Sequence, residues 1–290
     1  MLKKAIIALI VLIGVIGLSY YNATNININQ IKVRKEILKS DKIDKDTDGL
    51  LLAYFTDLNY GKYIDNGFVD KTVELINVFK PDLIVFGGDL FDNDAFNDIS
   101  EESITYLTQA LSNLNAKYGK YAVLGEADLL YKDTVMNILS QSDFTVLENT
   151  HQLISIDRNS SINLIGTEPY IGGTIDYESA FSTAVADSYT ILISHCPDSF
   201  DDAINYNFDY MLSGHSRGGQ IYLPIISFFT RDEGCKKYFA GKITKNNKTL
   251  DISNGLGRLR SNARLSADAE VVFYTLNKPF ELTESIQENK

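Results

Sequence analysis

Five residues able to bind a metal stand directly behind apolar runs that read as β-strands. Asp57 follows Leu50–Thr56, Asp89 follows Leu83–Gly88, and Glu126 follows Tyr121–Gly125. His195 follows Tyr189–Ser194, and His215 follows Tyr210–Gly214. Taken singly, an aspartate after a strand is a turn former or helix cap, and a histidine is a hydrogen-bonded structural residue. The joint pattern is harder to dismiss, because two of the three histidines in the chain fall in it; His151 lies outside it and is given no role. In open α/β sheets, ligands bind beyond the carboxyl ends of the strands, so five such ends predict one shared cleft. Carboxylates and imidazoles together favour a borderline transition ion (Mn, Fe or Zn) over calcium or magnesium. Such an ion acts as a Lewis acid and activates water.

The elements that must position these residues alternate along the chain. Leu50–Thr56, Leu83–Phe86, Tyr121–Leu124, Ile162–Ile165, Tyr189–Ile193 and Tyr210–Leu212 are predicted strands. Phe68–Phe79 carries Val69, Val73, Ile76 and Phe79 at helical spacing, and Pro81 stops it. Ser100 opens a second helix whose Ile104, Leu107, Leu111 and Leu114 share one face, and Thr134–Leu139 predicts a third. After Gly219 only strands remain, at Tyr238–Thr244, Leu250–Ser253 and Val271–Leu276. The reading is an α/β chain with a β-rich end.

Composition narrows the partners. The chain has 290 residues and a formal net charge of −11. An acidic chain repels phosphate backbones at long range, which argues against nucleic acid. A small phosphorylated substrate stays compatible, because a metal reverses the local field. Cys196 and Cys235 form no Cys-x-x-Cys pair, so no zinc knuckle is expected. Asp44, Asp46, Asp48 and Gly49 match the opening of an EF-hand loop, but its twelfth position is Phe55, so an acidic turn is expected. Gly255-Leu-Gly257 is too short for a dinucleotide fingerprint, and no Gly-x-Ser-x-Gly elbow occurs.

At the N-terminus, Lys3 and Lys4 precede an apolar run of 14 residues, Ala5–Leu18. It reads either as a retained membrane anchor or as a cleaved signal segment; the anchor is preferred, with the domain outside the cytoplasm, or secreted if the segment is cut. The chain divides into an anchor or signal segment at 1–21, a polar spacer at 22–49 with room for some strand pairing at Ile31–Val33, a folded domain at 50–278 and a polar tail at 279–290.

The segments Phe-Thr-Asp57-Leu-Asn59, Gly87-Gly88-Asp89-Leu-Phe-Asp92, Leu124-Gly125-Glu126-Ala127-Asp128, Ser194-His195-Cys-Pro197 and Ser213-Gly214-His215-Ser-Arg217-Gly218-Gly219-Gln220 resemble the ordered motif blocks of the calcineurin-like metallophosphoesterases. The short membrane-anchored branch with a Gly-His-x-x-Gly-Gly-Gln block is the most similar. The resemblance covers residues 50–276. It implies a four-layer αββα sandwich of two mixed sheets, with two metals at the mouth of the sheets. It makes Asp89 the bridging carboxylate, Asp57 a first-site ligand, and His195 and His215 second-site ligands. Glu126 stands where the family has Asn and still offers oxygen. Asn59 and Arg217 stand where the family has ligand histidines, and Ala127 where it has the His of its Gly-Asn-His block. A guanidinium does not lose its proton and cannot ligate.

Two readings follow. One is a phosphodiester or phosphomonoester hydrolase with one divalent ion, or two, held by Asp57, Asp89, Glu126, His195 and His215. Arg217 then replaces the first cation, and Asp57, Asn59 and Arg217 carry catalysis. Its substrate is a small phosphorylated or lipid-linked phosphoester, and the membrane is met through the N-terminal segment. The other is an inactive relative that binds a phosphorylated ligand or a partner protein, with Arg217–Asp57 as a structural salt bridge.

Overall fold

The computed structural model describes residues 1–92, 99–158, 160–223 and 231–279; the polar tail falls outside them from residue 280 onward. One sheet holds β1 (Ile31–Lys39), β2 (Leu51–Phe55), β3 (Leu83–Phe86), β4 (Lys120–Ala122), β5 (Phe144–Val146) and β12 (Ala269–Asn277). The other holds β6 (Thr150–Asp157), β7 (Ser160–Gly166), β8 (Tyr189–Ile193), β9 (Tyr210–Ser213), β10 (Gly241–Lys245) and β11 (Lys248–Ile252). Their orders are β1-β12-β2-β3-β4-β5 and β10-β11-β9-β8-β7-β6. Strands β2 to β5 run parallel, as do β7, β8, β9 and β11, with antiparallel partners at the margins. Both sheets are therefore mixed.

Period-two alternation builds the layers. In β2, Leu52 and Tyr54 face the second sheet and join Leu164, Ile191 and Leu212 between the sheets. Ala53 and Phe55 face outward and meet α2 (Asn66–Phe79), α3 (Glu101–Ser112) and α4 (Lys132–Gln141) through Val69, Leu107 and Ile138. The second sheet turns Ile165, Leu192 and Met211 outward onto α5 (Tyr177–Phe181) and α6 (Phe200–Ala203). The result is the αββα sandwich. Because both faces of the central strands are buried, a one-residue slip would exchange two complete apolar sets, which fixes the register. The strand ends, and the side chains on them, inherit that precision. The expected caps are present: Asp65 accepts from Phe68 N, and Ser100 from Ser103 N.

The stretch 22–49 is more than a spacer. β1 pairs in parallel with β12 along its whole length, from Ile31 opposite Ala269 to Lys39 opposite Asn277. Its apolar period is masked by Lys32, Arg34, Lys35 and Lys39, charges of the kind that protect sheet edges. Arg34 reaches inward to Asp251 and Glu270. The EF-hand-like aspartates close a turn instead: Asp44 Oδ1 accepts from Asp46 N and Thr47 N, and Asp48 Oδ1 from Lys278 N.

Helix α1 (Leu2–Tyr21) has 20 residues, longer than the apolar run that announces it, and none of them is buried. At about 1.5 Å per residue it spans about 30 Å, so it is long and apolar enough to cross a membrane. The helical path continues in short turns to Asn29. There it is fastened to the domain. Arg264 N donates to Ala23 O at 2.9 Å, Asn27 Nδ2 donates to Arg264 O at 3.0 Å, and the Arg258 guanidinium donates to Ile28 O at 2.6 Å.

Candidate metal centre

The loops behind β2, β3, β4, β8 and β9 meet at one end of the sandwich. They turn sharply: Asp57, Asn59, Asp89, His215 and Arg217 all have φ between 46° and 64°. Left-handed backbone at non-glycine residues costs on the order of 1–3 kcal/mol each and persists where surroundings over-determine it. Here they do. Asp57 N donates to Gly88 O at 2.8 Å, and Asn59 N to Asp89 O at 3.0 Å. A Cβ at Gly125 would collide with the Asp89 carboxylate, and one at Gly214 with Asp57 and Thr56. Buried Asp128 binds the turns together, accepting from Asp89 N (2.8 Å), Leu90 N (2.8 Å) and Gly125 N (2.9 Å). Burial and the neighbouring Asp89 push its carboxyl up to about 7.

Asp89, Glu126, His195 and His215 each offer an atom to one spot, all within 4.8 Å of one another. The tautomers follow from the outer partners. A carbonyl only accepts, so His195 Nδ1 must donate to Gly87 O (2.6 Å) and His215 Nε2 to Glu233 O (2.6 Å). That leaves His195 Nε2 and His215 Nδ1 facing the group. Both are buried and have no hydrogen-bond partner of acceptable geometry, although His215 Nδ1 lies 2.7 Å from Glu126 Oε1 and His195 Nε2 3.3 Å from Asp89 Oδ2. A lone pair and a carboxylate that close repel unless a proton or a cation stands between them. Carbonyl-anchored imidazoles with inward lone pairs are the outer-shell arrangement of metal-ligating histidines. Two imidazoles and two carboxylates therefore fit a divalent transition ion.

The electrostatics of these side chains carry the same signature. Burial disfavours charge on His195, but Asp89, Glu126 and Asp57 outweigh it and hold the ring well above its ordinary pKa. His215 is also raised against burial, through Cys196, Cys235 and Glu126. Burial and Glu126 raise the Asp89 carboxyl. Burial works against the Glu126 charge, yet the two histidines hold its carboxyl below the usual range. Protons thus do the work that a cation would do, and cation binding would release them.

The other half of the cleft is built differently. Arg217 is buried and points inward, with Nη1 3.2 Å from Asp57 Oδ1 and 3.9 Å from Asp89 Oδ2, and Nη2 3.5 Å from Asp232 Oδ2. Asp57 is used up: its Oδ2 accepts from His215 N (2.9 Å) and Thr56 Oγ1 (3.0 Å). It lies 3.9 Å from His195 Nε2 but outside the four-ligand group. Asn59 Oδ1 is buried without a hydrogen-bond partner and sits against Gly257, while Nδ2 points to Phe91 O at 3.5 Å. Of the five residues read from the sequence as ligands, four come together and Asp57 pairs with arginine.

Three contributors had no role in the sequence reading. Asp128 stood inside a quoted motif, and its spacing two residues after Glu126 was the available signal. Asp232 had none. Arg264, fully buried, donates to the carbonyls of Asn254, Gly255, Gly257 and Ala267. The glycines of this loop pack on the cleft: Gly257 N donates to Asp57 O at 2.6 Å, and a Cβ at Gly255 would lie 2.7 Å from Asp57 Cβ.

No protein-family model matches the chain. Individual relatives do. An uncharacterised metallophosphoesterase of Bacillus subtilis, YkuE, is 29% identical over 266 residues, 90% of each chain. An uncharacterised metallophosphoesterase of Aquifex aeolicus is 26% identical over 257 residues, covering 85% of this chain and 92% of that one. A transmembrane protein with a metallophosphoesterase domain from Danio rerio is 22% identical over 252 residues, 82% of this chain and 55% of its own. Over most of its length the chain is thus similar to proteins named metallophosphoesterases, which agrees with the sandwich and with the metal-capable residues at its strand ends.

Proposed function

We propose that the chain is a phosphoester hydrolase that works with a single divalent ion, held by Asp89, Glu126, His195 and His215. The observation that carries this is the pair of buried imidazole nitrogens, His195 Nε2 and His215 Nδ1, aimed at two carboxylates with their opposite nitrogens fixed on backbone carbonyls. When bound, the ion supplies Lewis-acid polarisation of the phosphoryl group and lowers the pKa of water. Arg217 takes the place of a second cation: it donates to a phosphoryl oxygen as negative charge grows there. Asp57 holds Arg217 in position, and the Asp57 and Asn59 turns shape the wall behind it. Ala127 has no proton to give, so the leaving group departs without a donor at that position. Esters with acidic leaving groups are therefore the better substrates. The anchor places this chemistry at a membrane, with the domain outside the cytoplasm and phosphoesters, small or lipid-linked, as substrates.

A second reading, a non-catalytic binder of a phosphorylated ligand, is favoured by one feature: the Arg217–Asp57 pair closes the site where the family places its other metal. Metal analysis separates the two. The hydrolase reading expects about one equivalent of Mn, Fe or Zn and turnover of an aryl phosphodiester that stops on chelation and returns with the metal. Protein that binds no metal at neutral pH, or binds it without turnover, sinks the hydrolase reading.

A further inference from the structure

A groove of about 830 Å³ runs along the domain-proximal end of α1. Its size falls within the roughly 300–1,000 Å³ typical of small-molecule sites. One wall is the helix itself, with Val15 and Ile16; the other is the domain, with Ile221, Leu223, Ala263 and Leu265. The helical wall is fixed by the hydrogen bonds from Arg264, Asn27 and Arg258 that fasten residues 23–28 to the domain. At Ile221 and Ser261 the groove meets a second, polar cavity lined by Arg217, Gln220, Asp232 and Arg260. An apolar trough thus starts on the membrane-crossing helix and ends beside the guanidinium that faces the candidate metal group.

We infer that the groove is the subsite for the hydrocarbon chain of a membrane-resident phosphoester whose head group lies in the Arg217 cleft. This rests on the hydrolase reading above and on α1 crossing the membrane. The occupant is a lipid-type chain because the wall is continuous with the bilayer-spanning surface. A water-borne substrate has no use for an apolar wall on the anchor. A short-chain probe taken from water would lose apolar exposure in the groove, so even a few buried methylenes give at least about a tenfold gain in affinity over the methyl ester.

The test uses the full chain in lipid nanodiscs with manganese and two probes that share a reacting centre, methyl p-nitrophenyl phosphate and dodecyl p-nitrophenyl phosphate. In both, the phosphorus–oxygen bond to nitrophenolate breaks, water supplies the new oxygen and its proton passes to solvent. KM is expected to fall at least about tenfold from methyl to dodecyl with kcat little changed. Ser19→Trp, which fills the groove from the helix side without touching the domain core, or Leu223→Asp, should erase that gain and leave methyl-ester turnover intact. A dodecyl phosphate carrying a diazirine supplies a readout that needs no turnover. Its photo-adducts should fall on Ile221, Leu223, Ala263 or Leu265 and be displaced by excess dodecyl phosphate. Chain-independent KM with adducts confined to Leu2–Leu12 overturns the groove while leaving the hydrolase standing. Displaceable groove adducts without hydrolysis of either ester overturn the hydrolase and leave the groove.

Discussion

The two halves of the cleft solve one electrostatic problem in opposite ways. Both bring carboxylates out of water on tightly turned backbone, and both need positive charge nearby. Around Asp89 and Glu126 the neighbours are imidazoles, whose charge comes and goes with a proton or an ion. Around Asp57 the neighbour is Arg217, whose charge is permanent. The first half can therefore take its positive charge as protons or as a cation, as solution conditions dictate, and the second has its cation built into the chain.

The largest effect expected from this comparison is structural. Arg217→Ala leaves Asp57 buried without its partner, which should cost about 3–5 kcal/mol in urea denaturation of the metal-stripped protein. Adding Asp57→Asn should recover much of the loss, and equal losses in single and double variants would separate the pair. Next, His195→Ala should weaken metal binding about 100-fold, read by titration with manganese or zinc, while urea stability of the stripped protein falls much less than for Arg217→Ala. If both variants behaved alike, the division between the halves would be wrong. A gentler probe converts one half into the other. Asn59→His with Arg217→His should raise metal content from about one equivalent toward two, measured by elemental analysis; an unchanged count would show that these side chains do not reach a common point.

The smallest effect is the pH dependence. Raised folded-state pKa values at His195, His215 and Asp89 stabilise the stripped protein below the unfolded values, and this stabilisation is lost as pH rises through the folded ones. Glu126, whose carboxyl is lowered, is already ionised throughout the neutral range and adds no slope there. The metal-loaded protein needs those groups deprotonated. The difference in Tm between loaded and stripped protein should therefore widen from pH 6 to pH 9 by a few degrees, roughly 1 kcal/mol for a domain of this size. A gap that narrows across that range would contradict the shared site.

Much of this was legible in the chain itself. The strands that end in Asp57, Asp89, Glu126, His195 and His215 are short, continuous buried apolar runs, three of them closed by Gly87, Gly125 and Gly214. β1 was legible only at Ile31–Val33, because an edge strand faces water on one side and carries lysines where a central strand carries valines. β5 and β6 were missed for related reasons: Phe144–Val146 is only three residues long, and Thr150–Asp157 is a polar margin strand. In the site, ligand identity could be read from residue type, and the pairing of Arg217 with Asp57 from an arginine standing where a ligand histidine is expected; the share of Asp232 in that pair could not, since nothing in its neighbourhood marks it. Asp128 escaped for another reason: its work is done on backbone amides, which every residue has.

The fastening of the helical lead to the domain sets where the tether can be severed. Ala23 and Ile28 are buried, and their carbonyls accept hydrogen bonds from Arg264 and Arg258, whereas everything through Tyr21 stands clear of the core. Proteolysis at Tyr21 would release the domain with the loop of Asn254, Gly255, Gly257 and Arg264 still tied to residues 23–28. A cut eight or nine residues later would strip the partners from Arg264 and Arg258 and loosen the glycine turn that presses on Asp57. The lead is thus half leash and half keystone, and the changeover between the two takes only a few residues.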